Sequence, residues 1–286
     1  MKFLVTGGVG RLGVEICRKI ATSGHLVRSF DLPSVPWDNV LGITDLEIFK
    51  GDVTDPIFVS KACEDVDAVI HLAAILPPKS EVDKELTFRI NVEGTHNIVE
   101  NLKQEEHVRL VFASSISTFG VTAHQLPPIK EGQLQRAHNI YSESKIEAEQ
   151  LIRSSGIPYT ILRIAPIAVT DLVELPDIVP YRADQRVEFV HVDDAAWALF
   201  EAAKNPETLR QTFNVAGGPS WQMKGAEYIC RFYDALGVAV DPIFSEEYTA
   251  LDWYDTSRSR FLGYQRTNFN DFLNRVKVLG KELGLR

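Results

Sequence analysis

The chain has 286 residues, more than a usual single domain, and its 45% hydrophobic and 24% charged residues are typical of a globular protein. The formal net charge of −9 argues against binding to nucleic acid or to an anionic membrane surface, because both need clustered lysine and arginine. The sequence has no apolar run of about eighteen residues, the minimum for a membrane span, so we expect no membrane association.

Three cysteines, Cys17, Cys63 and Cys230, are scattered along the chain. Their spacing fits no metal site, and a small odd number in a chain of this length predicts free, buried thiols rather than disulfides. The sequence therefore predicts a protein of a reducing compartment, which we take to be the cytoplasm, without a metal centre.

Strand and helix patterns alternate through the first 165 residues. Apolar runs predict strands, and apolar residues at helical spacing predict helices. We expect strands at residues 3–6, 25–31, 46–50, 68–71, 110–114 and 159–163, and helices at residues 12–22, 56–63, 82–102 and 139–154. Strands joined through helices imply right-handed crossovers and a parallel sheet covered on both faces. The predicted fold class is α/β, a Rossmann-type doubly wound parallel sheet.

The pattern becomes irregular after residue 164, where Pro166, Pro176 and Pro180 interrupt it. Further on, we expect strands at 188–192 and 211–216 and helices at 194–204, 223–236 and 268–283. We assign residues 1–164 and 188–216 to a Rossmann domain, and residues 165–187 and 217–286 to a small mixed α/β substrate-binding region. A cleft between the two is the expected ligand site.

A glycine-rich loop, residues 6–13, joins the first predicted strand to the first predicted helix. Glycines at this spacing let the backbone turn off the strand, approach a pyrophosphate and pack the helix on the sheet, while the helix N-terminus attracts the anion. The loop therefore predicts a dinucleotide site. Arg11 either binds a phosphate or lies in solvent at the start of the helix. The candidate cofactor-binding residues here are Gly7, Gly10, Arg11, Leu12 and Gly13.

Asp31 ends the second predicted strand, eighteen residues after Gly13. A carboxylate there accepts hydrogen bonds from both ribose hydroxyls and repels a 2′-phosphate, which favours NAD over NADP. The first domain is therefore predicted to bind NAD. Further candidates follow the third and fourth strands at the carboxyl edge of the sheet, where adenine, ribose and pyrophosphate would lie: Asp52, Val53, Leu72, Ala73 and Ala74.

Tyr141 and Lys145 lie one helical turn apart on a predicted helix, and Ser115 ends a predicted strand. A phenol is a poor base at neutral pH, but a neighbouring ammonium is expected to lower its pKa. The hydroxyl of Ser115 is placed to hydrogen-bond the same substrate oxygen. We therefore predict that these three residues are catalytic and carry out proton transfer during a redox reaction.

The order and spacing of several motifs resemble those of the extended short-chain dehydrogenase/reductases, and in particular the NAD-dependent epimerase/dehydratase family typified by UDP-galactose 4-epimerase. The resemblance extends from residue 1 to about residue 216, with a further element at 255–264. It rests on the glycine loop and on five other motifs: Asn91-Val92-Glu93-Gly94-Thr95, Phe112-Ala113-Ser114-Ser115, Tyr141-x-x-x-Lys145, Arg163-x-x-Pro166 and Phe189-Val190-His191-Val192-Asp193-Asp194.

The resemblance implies a role for each matching residue. Tyr141 acts as base and acid, Lys145 binds the nicotinamide ribose and tunes Tyr141, and Ser115 positions the reacting oxygen. Asn91 lies near the cofactor, and Ile164 borders the nicotinamide. The family also implies a homodimer formed through the helix of Tyr141 and Lys145 and its neighbour.

Departures from the family pattern narrow the chemistry. Sugar-nucleotide dehydratases follow the catalytic hydroxyl with an acidic pair, whereas this chain has Ile116 and Ser117 there, which argues against dehydration. Nucleotide-sugar epimerases use an Asn and an Arg to hold the diphosphate, and Ala165 and Val187 stand at those places. Arg186, one position away, is the candidate substitute.

Three functions stay open at this point. The first is an epimerase acting on a sugar or nucleotide-sugar with tightly held NAD. The second is a dehydrogenase or reductase of a smaller alcohol or ketone that releases its cofactor at each turnover. The third is a non-catalytic regulator that binds NAD(H). The short segment 165–187 and the missing anchors favour the second, while the family resemblance favours the first, so the sequence leans slightly toward a sugar-like small-molecule substrate.

Overall fold

The computed structural model describes residues 1–105, 107–171 and 175–285. Its centre is a seven-stranded sheet in the order β10-β6-β5-β4-β1-β2-β3, in which all neighbouring strands run parallel. The seven strands are β1 (Lys2–Thr6), β2 (Leu26–Asp31), β3 (Leu46–Lys50), β4 (Ala68–His71), β5 (Arg109–Ser115), β6 (Tyr159–Ile164) and β10 (Gln211–Val215). The predicted doubly wound sheet is confirmed.

Helices cover both faces of the sheet, and short strands lie outside it. The helices are α1 (Arg11–Thr22), α2 (Pro56–Ala62), α3 (Lys84–Phe88), α4 (Gly94–Leu102), α5 (Ile140–Ser154), α6 (Val192–Lys204), α7 (Gly225–Leu236) and α8 (Phe269–Glu282). The short strands are β7 (Ile167–Ala168), β8 (Arg186–Val187), β9 (Val190–His191) and β11 (Met223–Lys224). Among the described residues, none of these helices is long and apolar enough to cross a membrane.

Each central strand contributes to two hydrophobic cores, because successive side chains of a strand point to opposite faces of the sheet. In β1, Phe3 and Val5 pack in one core with Ile20 of α1, while Leu4 packs in the other with Ile98 of α4. Strands buried on both faces give the continuous apolar runs seen in the sequence. The strand order reverses between β1 and β4, so a crevice opens at their carboxyl ends.

A third core lies in the segments assigned to the substrate-binding region. It is rich in aromatic side chains, and Trp221 stacks edge-on against Phe269 with ring centroids 5.2 Å apart. Val187 of β8 and Tyr228 of α7 belong to the same core. The division into two domains stays a prediction.

Two predicted elements are interrupted in the structure. The helix expected at 82–102 is split into α3 and α4 by a π-helical segment, Arg89–Glu93, in which the side chain of Asn91 bonds to a neighbouring loop. The strand expected at 188–192 is also broken, because the carboxylate of Glu188 turns aside to accept hydrogen bonds from the backbone N–H groups of Gly218 and Tyr254, each at 2.8 Å. Polar contacts between distant segments override the local pattern at both places.

The cysteines differ from one another in exposure. Cys17 and Cys63 are free and buried, and burial raises the pKa of each thiol to about 12. Cys230 is exposed on α7, so the prediction that all three thiols are buried is wrong for this one. Position 230 falls on the solvent side of an amphipathic helix, where a small thiol needs no packing partner.

Candidate active site

A cleft of about 1000 Å³ runs along the carboxyl edge of the sheet. It extends from the ends of β2 and β3, across the glycine loop, to the ends of β5 and β6 and the start of α5. All but one of the predicted site residues line it: Gly7, Gly10, Arg11, Leu12, Gly13, Asp31, Asp52, Val53, Leu72, Ala73, Ala74, Ser115, Tyr141, Lys145 and Ile164.

The glycine loop forms a tight turn between β1 and α1. Gly7 has a φ of +68°, a left-handed conformation that favours glycine, and its N–H donates to the carbonyl of Phe30 at 2.9 Å. A Cβ on Gly13 would lie 2.2 Å from the Gly7 oxygen, so the first turn of α1 packs directly on the loop. The loop thereby presents the unpaired N–H groups at the start of α1 toward the cleft, an arrangement suited to a phosphate.

Two carboxylates lie at the β2 and β3 end of the cleft. The Asp31 oxygens accept hydrogen bonds from the backbone N–H groups of Val9 (3.1 Å) and Leu32 (2.8 Å), which fix the carboxylate beside the glycine loop. Asp52 accepts from the N–H and hydroxyl of Thr54, each at 2.9 Å. Asp31 therefore lies in the cleft beside the glycine loop, and its binding of ribose hydroxyls stays a prediction.

Arg11 lines the cleft and is well exposed. Its guanidinium forms an ion pair of 2.9 Å with Asp171, which lies in the segment that follows β7. The pair links the start of α1 to that segment across the cleft. Because both side chains are exposed, this ion pair is weak, and the two roles expected for Arg11 stay open.

A buried polar chain lies under the floor of the cleft, and sequence reasoning missed it. The hydroxyl of Thr6 accepts hydrogen bonds from Leu72 and Ala73 N–H, each at 3.1 Å, and lies 2.6 Å from Nδ1 of His71. Nε2 of His71 lies 3.0 Å from the Thr95 hydroxyl. Because Thr6 already accepts two hydrogen bonds, it donates its own proton to His71, whose other nitrogen then donates to Thr95. The sequence signal for this polar chain was His71, a histidine at the end of an apolar strand.

Asn91 does not line the cleft but bonds to Ile75, which does, so its expected place near the cofactor stays a prediction. Its side chain accepts from Ile75 N–H at 2.8 Å and donates to the Ile75 carbonyl at 3.2 Å. It also donates to the hydroxyl of Ser144 on α5 at 3.0 Å. These three bonds use both N–H donors and the oxygen of the amide, and they join the loop after β4 to the helix that carries Tyr141 and Lys145.

The start of α5 is held by a capping box. Asn139 Oδ1 accepts from Ser142 N–H at 2.8 Å, and the Ser142 hydroxyl accepts from Asn139 N–H at 3.1 Å. The carboxylate of Glu81 accepts from the next two N–H groups, those of Ile140 and Tyr141. The first turn of the helix, and with it Tyr141, is therefore fixed at the edge of the cleft.

Ser115, Tyr141 and Lys145 meet at this point. The hydroxyl of Ser115 lies close enough to the Tyr141 phenol to lower its pKa. Lys145 Nζ donates to the carbonyl of Ala113 at 2.9 Å and lies 5.8 Å from the centre of the Tyr141 ring. It also lies 4.6 Å from the ring centre of Phe112, a cation–π contact. A phenol, a hydroxyl and an ammonium thus face one side of the cleft.

The pKa values of these groups follow from burial. Loss of solvent raises the pKa of Tyr141 to about 12, although the hydrogen bond from Ser115 works in the opposite direction. Burial also lowers the pKa of Lys145 to about 8 and that of His71 to about 3. The expected lowering of the phenol pKa is therefore wrong for this structure, because desolvation of the phenolate outweighs the favourable interactions. At neutral pH the phenol carries its proton.

Three further segments contribute apolar residues to the lining of the cleft: Leu76, Pro77, Ala165, Pro166, Ile167, Val169 and Ala250. The polar residues Ser117, His138 and Asn139 line it as well. Arg186, the candidate diphosphate anchor, does not line the cleft. Its guanidinium forms a two-point ion pair with the fully buried Asp252 and donates to the carbonyls of Ala123 (3.2 Å) and Gln125 (3.0 Å). The hypothesis that Arg186 replaces the missing anchor is not supported, because its charge is neutralised inside the protein.

No cluster of His, Cys, Asp or Glu suited to a metal ion occurs within 1–105, 107–171 and 175–285.

Comparison with known proteins agrees with this geometry. Residues 4–157 match the model of the 3-beta hydroxysteroid dehydrogenase/isomerase family. The chain is 28% identical over 184 residues to D-erythronate dehydrogenase of Cupriavidus necator, covering 59% of this chain and 56% of that protein. It is 30% identical over 175 residues to UDP-glucose 4-epimerase of Lactobacillus helveticus, covering 59% and 52%. The aligned regions thus span about half the length of these curated relatives.

Among solved structures, the fold is similar to a short-chain dehydrogenase/reductase superfamily protein of Agrobacterium tumefaciens with bound NAD. The TM-score is 0.82 at 21% identity, covering 100% of this chain and 98% of that one. The family model covers the glycine loop, the polar chain under the cleft and the three reactive side chains. The chain therefore belongs to the 3-beta hydroxysteroid dehydrogenase/isomerase family, within the extended short-chain dehydrogenase/reductases that its motifs resemble.

Proposed function

We propose that the protein is an NAD(H)-dependent oxidoreductase that interconverts a secondary alcohol and a ketone in a small-molecule substrate. One observation carries the proposal: a single cleft contains the glycine loop, the Asp31 carboxylate and the three reactive groups Ser115, Tyr141 and Lys145. A dinucleotide extended along the sheet edge would reach from Asp31 to Tyr141. Its reacting ring would then lie beside the phenol.

The residues present suit NAD. The glycine loop leaves room for a pyrophosphate against backbone N–H groups, as argued above, and the relative from Agrobacterium tumefaciens contains NAD. Asp31 favours NAD over NADP, because a carboxylate repels a 2′-phosphate. When bound, the nicotinamide would supply or accept a hydride.

Proton transfer is assigned to the protein side chains. Tyr141 is protonated at neutral pH and is placed to give its proton to the oxygen of a ketone that is being reduced. Ser115 donates a hydrogen bond to the same oxygen, and Lys145 stabilises the phenolate that forms. In the reverse direction the phenolate takes the proton of the alcohol.

The walls of the cleft favour a substrate without a diphosphate. The lining of the cleft is mainly apolar, and Arg186 is bound internally by Asp252. We therefore place a dehydrogenase or reductase of an uncharged, non-nucleotide substrate first. An epimerase acting on a sugar or nucleotide-sugar is the second candidate, supported by the similarity to the UDP-glucose 4-epimerase of Lactobacillus helveticus.

Cofactor handling distinguishes the two candidates. Purified protein is passed through gel filtration, assayed for retained NAD, and then incubated with NAD and a panel of alcohols and sugars while NADH is followed by its near-ultraviolet absorbance. Stoichiometric NADH formation supports the dehydrogenase. Retained NAD together with product formation and no net NADH would support the epimerase and overturn the first choice.

A homodimer through α4 and α5 is proposed from the family resemblance, as is a cytoplasmic location. The outward positions of these helices include the exposed Glu93, His96 and Glu100 on one side and Glu147 and Gln150 on the other. Such an interface would therefore be polar. Sedimentation equilibrium would distinguish a dimer from a monomer.

A further inference from the structure

A buried carboxylate lies one helical turn beyond Lys145, and the chemistry proposed above does not use it. The side chain of Glu149 is 0% exposed, and that of its main partner Arg163 is 3% exposed. Carboxylates are almost never buried to this extent unless they are paired. Its oxygens accept hydrogen bonds from four side chains: Ser114 (2.6 Å), Gln135 (3.1 Å), Arg153 (2.9 Å) and Arg163 (2.7 and 2.9 Å).

These contacts connect the walls of the site. Ser114 lies in β5 directly after Ala113, whose carbonyl holds the Lys145 ammonium at 2.9 Å. Arg163 lies in β6, next to the strand end that borders the cleft. Glu149 therefore joins the carboxyl ends of β5 and β6 to the helix that carries the reactive groups.

The negative charge of the same carboxylate also acts on the Lys145 ammonium, one helical turn away. Lys145 is 2% exposed, and burial lowers its pKa to about 8, while the negative charge of Glu149 opposes that effect. Two other titratable groups pack around the ammonium, His71 of β4 and Tyr141 of α5. Both are uncharged at neutral pH, because burial lowers the pKa of His71 and raises that of Tyr141. The cations on the far side of the carboxylate are Arg153 and Arg163.

We propose that Glu149 is a positioning residue that keeps the Lys145 ammonium charged and fixed at the end of β5. The inference rests on the proposed function and on the family resemblance, which implies that Lys145 binds the nicotinamide ribose. A merely structural Glu149 would affect folding alone. A positioning Glu149 also raises the pKa of Lys145, and with it the pH above which NADH affinity falls.

The test is the pH dependence of NADH binding to the full chain, followed by energy transfer from tryptophan. In the wild-type protein, affinity should fall as the pH rises through the pKa of Lys145, about 8. Glu149→Gln keeps the shape and removes the charge, so the midpoint should move down by about one pH unit, the size expected for a charge one turn away at intermediate dielectric. Glu149→Asp keeps the charge and should keep the midpoint.

Two control variants show whether the shift in the midpoint comes from the Glu149 charge and from titration of Lys145. Glu147→Gln removes an exposed charge from the same helix and should leave the midpoint at its wild-type value. Lys145→Arg should abolish the transition, because a guanidinium does not titrate in this range. If Glu149→Gln does not fold with Arg163 unpaired, the double variant Glu149→Gln/Arg163→Gln removes both buried charges. It should still show a lowered midpoint, since Glu149 is the charge that acts on the ammonium.

A folded Glu149→Gln variant, single or double, with the wild-type midpoint would overturn the proposal, as would equal shifts for Glu149→Gln and Glu147→Gln. Wild-type protein that binds no NADH at any pH would instead contradict the proposed function, and this inference with it. The two failures are therefore distinguishable.

Discussion

Two glycines of the same loop should respond differently when each is replaced by alanine. A Cβ on Gly13 would lie 2.2 Å from the Gly7 oxygen and 2.7 Å from the Cα of Gly8, both of which are backbone atoms. A Cβ on Gly10 would have its nearest contact at 3.3 Å, again with the Gly7 oxygen. Gly10 also has a φ of −66°, which alanine adopts without strain. One glycine is therefore needed for packing, and we expect the other to be needed for the ligand.

The expected magnitudes follow from these distances. Gly13→Ala requires backbone atoms to move apart by roughly 1 Å, and overpacking against rigid atoms costs about 3 kcal/mol. At about 2 °C per kcal/mol for a chain of this size, the melting temperature should fall by roughly 6 °C. Gly10→Ala should change it by no more than about 2 °C, because the Gly7 oxygen needs to move by only a few tenths of an ångström and alanine restricts the unfolded chain. Its methyl group would occupy the cleft where a pyrophosphate is expected, so NADH affinity should fall at least about tenfold, or ~1.4 kcal/mol.

Thermal melting followed by scanning fluorimetry and NADH titration on both variants would check this pair. The outcome that supports the reasoning is a stable Gly10→Ala protein with weak NADH binding and a destabilised Gly13→Ala protein. Wild-type NADH affinity in Gly10→Ala would refute the placement of the pyrophosphate. A wild-type melting temperature in Gly13→Ala would refute the packing argument.

The remaining predictions concern other parts of the cleft. Tyr141→Phe should lose about 10²-fold or more in kcat while NADH affinity stays the same, because only the proton donor is removed; unchanged behaviour in a turnover assay would point to a non-catalytic regulator. Asp31→Asn should narrow the preference for NADH over NADPH by at least about tenfold, measured as a ratio of Kd values, since the charge that repels the 2′-phosphate is gone; wild-type protein that prefers NADPH would contradict the role given to Asp31. Arg186→Gln should destabilise the fold by about 3 kcal/mol, because it leaves the buried Asp252 carboxylate without its cationic partner, with the Thr122 hydroxyl and the Trp253 N–H as its remaining donors. If Arg186 bound a substrate diphosphate instead, calorimetry would show weaker UDP binding without a lower melting temperature.

Much of the fold followed from periodicity alone. β1, β4 and β6 are buried on both faces, so they appear as short, mainly apolar runs whose length and flanking residues indicate strands. The glycine loop lies between two such elements, and its spacing reflects a backbone constraint that the structure shows at Gly7 and Gly13. Tyr141 and Lys145 are one turn apart on a regular helix, so their proximity is local. Features that depend on neighbours within a few residues were accessible from the sequence.

Features that depend on contacts between residues far apart in the chain could not be predicted from the sequence. The π-helical segment exists where Asn91 reaches Ile75 and Ser144, which lie 16 and 53 residues away in the chain. The break after β8 occurs where Glu188 binds Gly218 and Tyr254, 30 and 66 residues away. The direction of the Tyr141 pKa also depends on how much solvent the folded cleft leaves around the phenol. None of these depends on a spacing that the sequence displays.

Arg186 shows why the substrate is harder to infer than the cofactor. In the sequence, Arg186 stands next to the position of the expected anchor. In the structure, its charge is compensated by Asp252, which lies 66 residues further along and is fully buried. A cofactor loop is recognised by backbone geometry, which glycines encode locally. A substrate pocket is defined by which charges remain uncompensated after folding, and here the nearest cation to the missing anchor does not remain free. Because an unpaired buried Asp252 would be costly, the ion pair cannot open to receive a diphosphate without a large loss of stability. The mainly apolar cleft is therefore better suited to an uncharged substrate than to a nucleotide-sugar.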